Sequence, residues 1–242
     1  MKSRIDQLLV ERGLVESRVK AQALILAGEV LIDGQKADKP GRSVDSDCKL
    51  ELLAKIPYVS RGGYKLAGAL DHFNIDVTGW TCIDVGSSTG GFTDCLLQRG
   101  AKRVCCIDVG KGQLDWKLRN DPRVEVREGV NARFLDPKDF PERFEIAVCD
   151  ASFISVTLLI PAIAPLLRDG GTMVILVKPQ FEVGKGEVGK GGIVRDPAQH
   201  QAACDRVRAC VEHLGFHAEI IPSPILGAEG NREFLLYAQR IH

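Results

Sequence analysis

The run Cys82-Ile83-Asp84-Val85-Gly86-Ser87-Ser88-Thr89-Gly90-Gly91-Phe92 constrains this chain more than any other. An apolar, strand-like stretch enters a turn of small residues, and a helical pattern follows. A second apolar stretch, Arg103–Ile107, ends in Asp108, 24 residues after Asp84. Strand, glycine turn, helix, strand and acid form the nucleotide-binding half of a doubly wound sheet. Glycines let a ligand approach the backbone closely, and the acid can accept from ribose hydroxyls.

The glycine spacing narrows the ligand. A dinucleotide turn of the form G-x-G-x-x-G keeps its middle glycine free for a pyrophosphate. Ser88 holds that place here, and Asp84 sits where a pyrophosphate would be repelled. A cation would not be. S-adenosylmethionine, with a sulfonium and an amino group and no phosphate, fits this turn better than a nicotinamide dinucleotide. The expected cofactor contacts are Asp84, Gly86, Ser87, Ser88, Thr89, Gly90, Gly91, Phe92 and Asp108, with Asn131 near the adenine and Asp150 at a neighbouring strand tip.

The rest of residues 64–242 alternates strand and helix, which implies a mostly parallel sheet covered on both faces. Strands are expected at 80–85, 103–108, 124–127, 144–149, 172–177, 217–221 and 234–239. Helices are expected near 64–73, 92–99, 113–119, 154–167 and 197–214. The short gap before the last strand predicts an antiparallel hairpin closing the sheet edge. Formal net charge is zero, so any nucleic-acid surface has to be local. The N-terminus shows no secretory pattern. The longest nearly apolar run, 153–167, is too short to span a bilayer and contains Pro161 and Pro165. None of the eight cysteines forms a Cys-x-x-Cys pair, and several lie in apolar runs. Free thiols in a reducing cytoplasm, with no zinc site, are the expectation.

Residues 1–55 read as a separate module, followed by a linker over 56–63 that carries Pro57 and Gly62-Gly63. Ile5, Leu8, Leu9, Leu14 and Val15 fit one helical face, and Val19, Ala23, Leu24 and Leu26 fit a second. Ser17 is placed to cap the second helix, and Asp33-Gly34 to turn a short strand back. Arg4, Arg12, Arg18, Lys20, Lys36, Lys39 and Arg42 supply cations that acids nearly cancel in number. The pattern from Arg4-Ile5-Asp6 through Ser17-Arg18 to Asp33-Gly34 resembles the S4-type RNA-binding domain. That resemblance implies a small α+β RNA-binding domain with Arg4, Arg18, Lys20 and Lys36 as phosphate contacts, which position without reading sequence.

Ligands of doubly wound sheets bind outside the carboxyl ends of the strands. Asp108, Asp150 and Lys178 stand at such ends. A lysine closing a buried apolar strand is costly to desolvate, and Asp150 would compensate it. Lysine activates a hydroxyl toward a sulfonium methyl if desolvation or a second cation lowers its pKa, or if it aims the lone pair. Lys65 is the candidate second cation. The run Gly184-Lys185-Gly186-Glu187-Val188-Gly189-Lys190-Gly191 nearly spells a P-loop, but Gly191 replaces the hydroxyl residue that holds magnesium. A basic loop over bound RNA, with Lys185 and Lys190 as contacts, is expected instead.

Ser60-Arg61-Gly62-Gly63-Tyr64-Lys65, Asp84–Phe92, Asp150-Ala151-Ser152-Phe153, Val177-Lys178-Pro179-Gln180-Phe181-Glu182 and Gly230-Asn231-Arg232-Glu233-Phe234 are together similar to the TlyA family, the FtsJ-like ribosomal RNA 2'-O-methyltransferases also labelled haemolysin A. The resemblance runs from end to end. It implies a Rossmann-like class I methyltransferase sheet, S-adenosylmethionine as cofactor, and a Lys-Asp-Lys-Glu set at Lys65, Asp150, Lys178 and Glu233. Ribosomal RNA is the implied partner, with a cytidine ribose as acceptor. Two other readings compete: a membrane-active cytolysin, and an RNA-binding protein without catalysis.

Overall fold

The computed structural model describes residues 2–26, 28–52, 57–184, 186, 188–189, 191–227 and 230–241. The chain divides into two compact units, Met1–Ile56 and Pro57–His242.

In the first unit, β1 (Lys2–Arg4) runs directly into α1 (Ile5–Glu11), and α2 (Arg18–Leu26) follows. The strands β2 (Val30–Ile32), β3 (Gln35–Lys36), β4 (Ser43–Asp45) and β5 (Leu50–Leu52) complete it. β1 pairs antiparallel with β4, and β2 lies between β3 and β5. The Ser17 hydroxyl accepts from the Lys20 amide at 3.2 Å, a cap that starts α2. Asp33 and Gly34, with φ of 49° and 81°, make the tight turn joining β2 to β3. Ile5, Leu8, Leu9, Ala21, Ile25 and Val30 form the core. This corrects the expected inner face of α2. Val19 and Leu26 are exposed, and Ala21 and Ile25, four apart, turn inward instead.

The second unit is built on a seven-stranded sheet. In chain order it contains α3 (Gly62–His72), β6 (Thr81–Val85), α4 (Gly91–Gln98), β7 (Arg103–Asp108), α5 (Trp116–Arg119), β8 (Val124–Glu128) and β9 (Phe144–Cys149). Then come α6 (Ile160–Ile163), β10 (Leu167–Val177), α7 (Pro179–Glu182), α8 (Pro197–His213), β11 (Phe216–Pro222) and β12 (Phe234–Arg240). Across the sheet the order is β11-β12-β10-β9-β6-β7-β8. β12 runs antiparallel to both neighbours, and the ladders from β10 to β8 are parallel. The doubly wound sheet with an antiparallel last strand is therefore observed. Alternation along the strands feeds two cores: Ile83, Val85, Cys105 and Ile107 face one layer, and Cys82, Val104 and Cys106 the other.

Three local expectations are corrected. The stretch 154–167 is no single helix: a short turn at Val156–Leu158, then α6, then another at Ala164–Leu166. Pro161 and Pro165 each stand in the first turn of a new segment, because proline lacks the N–H needed farther in. α5 begins only at Trp116, where the Asp115 carboxylate accepts from the Lys117 amide at 2.8 Å. From Pro57 on, the expected linker belongs to the second unit, with the Val59 amide donating to Asp94 at 2.9 Å.

All eight cysteines are free thiols. Cys82, Cys95, Cys105, Cys106, Cys149 and Cys204 are buried, and burial pushes Cys95, Cys105 and Cys149 up to about 12. Among the described residues, no group of three or more His, Cys, Asp or Glu side chains gathers as a metal site. No described helix is long and apolar enough to cross a membrane.

Candidate active site

The carboxyl ends of β6, β9 and β10 meet at two adjoining cavities. The first, about 230 Å³, is lined by Lys65, Asp84, Ser87, Thr89, Asp150 and Lys178, with Ser60, Gly62, Gly86, Ser88, Gly91, Phe92 and Ser152. The second, about 510 Å³, lies between Ile107, Val109, Val130, Ala132, Ile154 and Leu159 on its apolar walls, and Asp108, Asn131 and Arg133 at its polar rim. Gly86, Ser88, Asp150 and Ser152 border both.

The turn after β6 fixes this geometry. Gly86 has φ of 80°, and a Cβ there would stand 2.8 Å from the Asp150 carbonyl oxygen, so the β6 and β9 tips can meet only over a glycine. The Gly86 amide donates to the Ile107 carbonyl at 2.8 Å, Ser87 to the same oxygen at 3.2 Å, and Gly90 to the Ser87 carbonyl at 2.7 Å. The Ser88 amide donates to Asp108 at 2.7 Å. A phosphate cradle needs such amides free, and here four of them are spent within the protein. Asp108 also accepts from the Gly110 amide at 2.7 Å, which leaves each carboxylate oxygen one lone pair for a ligand hydroxyl.

Asp84 is fully buried. Its Oδ2 accepts from the Thr93 amide at 3.0 Å and the Thr93 hydroxyl at 2.7 Å. Its Oδ1 is buried without a hydrogen-bond partner, and the residue is one of those around the first cavity. Burial pushes this carboxyl up to about 7, with the Thr93 hydrogen bonds opposing and the Asp150 charge adding to the rise. Two acidic residues, Asp84 and Asp150, around one cavity, beside an apolar cleft edged by Asp108, suit a ligand with a cationic end, ribose hydroxyls and a flat base. S-adenosylmethionine has this make-up without the pyrophosphate that a dinucleotide would have to seat on the spent amides. Phe92 lines the first cavity from within the core. Gly90 lines neither cavity: at φ 95° it starts α4, and a Cβ would strike Leu118 at 2.2 Å. Asn131 caps the turn at Ala132–Phe134 and borders the second cavity.

Two ion pairs, one buried and one partly buried, stand at the first cavity. The Lys178 ammonium, just past the end of β10, lies 2.6 Å from Asp150 and donates to the Ser152 hydroxyl at 2.7 Å. Lys65, from α3, lies 2.6 Å from Glu233, which immediately precedes β12. Glu233 sits behind Lys65, and Gly227 passes so close that a Cβ there would overlap its carboxylate. The four residues of the expected set are thus paired off by the fold. Ser152, Ser60 and Gly62 were not named as site residues, although each lies in one of the motifs that carry the family resemblance. Phe153 stands at the lip with φ of 66°, 91% exposed, its ring 5.3 Å from that of Phe181. Behind this lip, the buried Glu182 accepts from the Ser155 hydroxyl at 2.5 Å and the Val156 amide at 2.8 Å. It ties the segment bearing Asp150 and Ser152 to the one bearing Lys178.

In the first unit, Arg4 and Arg18 are half exposed and both bind the carboxylate of Asp6, while Lys20 and Lys36 are exposed. Lys185 and Lys190 lie outside the described residues.

Residues 58–240 match the model of the FtsJ-like methyltransferases, and residues 3–47 that of the S4 domain. The chain is 46% identical to the 16S/23S rRNA (cytidine-2'-O)-methyltransferase TlyA of Mycobacterium tuberculosis, over 98% of this chain and 89% of that one. It is 42% identical to Hemolysin A of Brachyspira hyodysenteriae, over 97% and 98%. Among solved structures, the "putative hemolysin from Streptococcus thermophilus" superposes with a TM-score of 0.77 at 45% identity, covering 99% of this chain and 88% of that one. With these matches spanning both units, the chain belongs to the TlyA family of FtsJ-like methyltransferases.

Proposed function

We propose that the protein methylates a ribose 2'-hydroxyl of ribosomal RNA, at a cytidine, with S-adenosylmethionine as donor and Lys65, Asp150, Lys178 and Glu233 as the working residues. The observation that carries this reading is the Lys178–Asp150 pair, which borders the cleft that suits the cofactor and also the open cavity beside it. The mycobacterial relative's name supplies the acceptor.

When bound, S-adenosylmethionine supplies an electrophilic methyl group on a sulfonium. Asp84 and Asp108 would hold its cationic and ribose ends, and the apolar walls of the second cavity its base. Of the three ammonium donors of Lys178, one goes to Asp150 and one to Ser152, leaving one for the acceptor oxygen. That bond aims an oxygen lone pair along the line to the methyl carbon, the geometry displacement requires. The donor would supply the methyl group and its sulfur would keep the C–S electron pair, while the hydroxyl proton would pass to the Asp150 carboxylate and from there to water. Lys65, held by Glu233, would add a second positive charge that favours the deprotonated form of the acceptor hydroxyl. The exposed Phe153 ring, backed by the half-buried Phe181, offers the face on which an unstacked base can lie.

The test is transfer of labelled methyl from S-adenosylmethionine to unmodified ribosomal subunits and to naked ribosomal RNA, by wild type and Lys178→Ala. Label on cytidine ribose with wild type alone is expected, together with near-normal cofactor binding by the variant. Turnover retained in Lys178→Ala would sink the mechanism. Cofactor binding without label on any RNA would sink the acceptor.

A further inference from the structure

In the first unit, the side chain with the most donors around it is an acid. Asp6 lies in the first turn of α1 and is fully buried. Its Oδ2 accepts from Arg4 Nη2 at 3.0 Å, Arg18 Nη2 at 3.1 Å and Gln22 Nε2 at 2.9 Å, and its Oδ1 accepts from Arg4 Nε at 3.0 Å. Arg18 Nε adds a longer contact at 3.4 Å. The hydrogen bond from Arg4, aided by Gln22 and Arg18, holds the carboxyl well below the usual range against the opposing effect of burial.

Both guanidinium groups meet one oxygen, so their Nη2 atoms stand no further apart than the sum of those two distances. Each has used only part of its five-donor fork. The remaining donors belong to side chains 43% and 50% exposed. Two like charges would not share this space unaided, and free arginine side chains would have to be ordered when an anion arrived. Asp6 removes both obstacles, since it neutralises one charge and fixes both forks beforehand.

We propose that Asp6 is a positioning residue for nucleic-acid binding, an acid that presets Arg4 and Arg18 as a paired clamp for phosphate oxygens. This rests on the reading of the first unit as an RNA-binding module. Its consequence runs against simple electrostatics. Removing an acid from a phosphate-binding face makes the face more positive and would ordinarily tighten binding. Here Asp6→Asn weakens it, because an amide cannot gather the same donors.

The experiment measures binding of the full-length protein to unmodified in vitro-transcribed ribosomal RNA across a salt series, with a thermal melt of each variant. Asp6→Asn is expected to weaken binding about tenfold and to lower the slope of log affinity against log salt by about 1. Arg18→Lys keeps the charge, leaves Asp6 partnered by Arg4 and Gln22, and is expected to lose several-fold in affinity because an ammonium lacks the fork. Wild-type binding with Asp6→Asn folded and equal or tighter would overturn the proposal. Should Asp6→Asn fail to fold, unchanged affinity and slope in Arg18→Lys would overturn it equally. Wild type with no salt-dependent RNA binding would bring down the module reading itself, a separate outcome.

Discussion

Replacing Asp84 by Asn removes the one completely buried carboxyl among the residues around the first cavity, and the structure sets the size of the effect. The folded chain holds this group near 7 against an ordinary value of 3.8, chiefly through burial. At 1.36 kcal/mol per pH unit, the ionised carboxylate weakens the fold by at most about 4 kcal/mol. A folded-state value above the unfolded one means that the native chain keeps its proton longer, so stability falls as pH rises from about 4 to about 7. An asparagine keeps an acceptor for Thr93 but buries an unpartnered amide, which takes back about 1–2 kcal/mol. Asp84→Asn is therefore expected to be about 2–3 kcal/mol more stable than wild type at pH 8 and about 1 kcal/mol less stable at pH 4, while binding S-adenosylmethionine far more weakly. Both tryptophans, Trp80 and Trp116, lie in the second unit, so urea unfolding followed by tryptophan fluorescence reads that unit alone. Superimposable stability curves at the two pH values, or a variant less stable than wild type at pH 8, would refute the reasoning.

Other outcomes follow from the same geometry. Glu233→Ala leaves the buried Lys65 ammonium unpaired and should destabilise the second unit by about 3–5 kcal/mol in urea, with Glu233→Gln losing clearly less. Gly90→Ala forces a left-handed alanine and a methyl group into Leu118 and Leu114; a loss of about 2–4 kcal/mol is expected, and a neutral result would contradict the close approach at the start of α4. Glu182→Ala strips the tie between the Ser155–Val156 backbone and α7. Single-turnover methyl transfer should slow at least about tenfold, one pH unit's worth of barrier, while cofactor affinity measured by calorimetry changes much less.

What was legible in the sequence had local causes. The strand, glycine turn and acid at 82–108 are short-range chemistry, and each residue there constrains its neighbour. Lys178 could be picked out because an ammonium at the end of an apolar strand needs a compensating partner, and Asp150 provides it. The pairing of Lys65 with Glu233 spans 168 positions, so it came from family resemblance and not from periodicity. Where the reading failed, the reasons are physical. Val19 and Leu26 match a helical spacing as well as Ala21 and Ile25 do, and only packing against α1 selects the inner face. The 154–167 run has helical composition, but its two prolines restart the backbone each time. Asp6 was counted as one acid cancelling one base, since a tally of charge carries no information about burial.

The free thiols make the two units separately observable. Cys48 is the sole cysteine of the first unit, and six of the seven in the second are buried. A thiol-reactive dye added to the native protein meets little thiolate in that second core, because burial holds those groups far above neutral pH. Dye uptake beyond the accessible sulfurs therefore times the opening of the methyltransferase core, residue by residue under mass spectrometry. The chain carries its own stopwatch for the half of the molecule in which the chemistry resides.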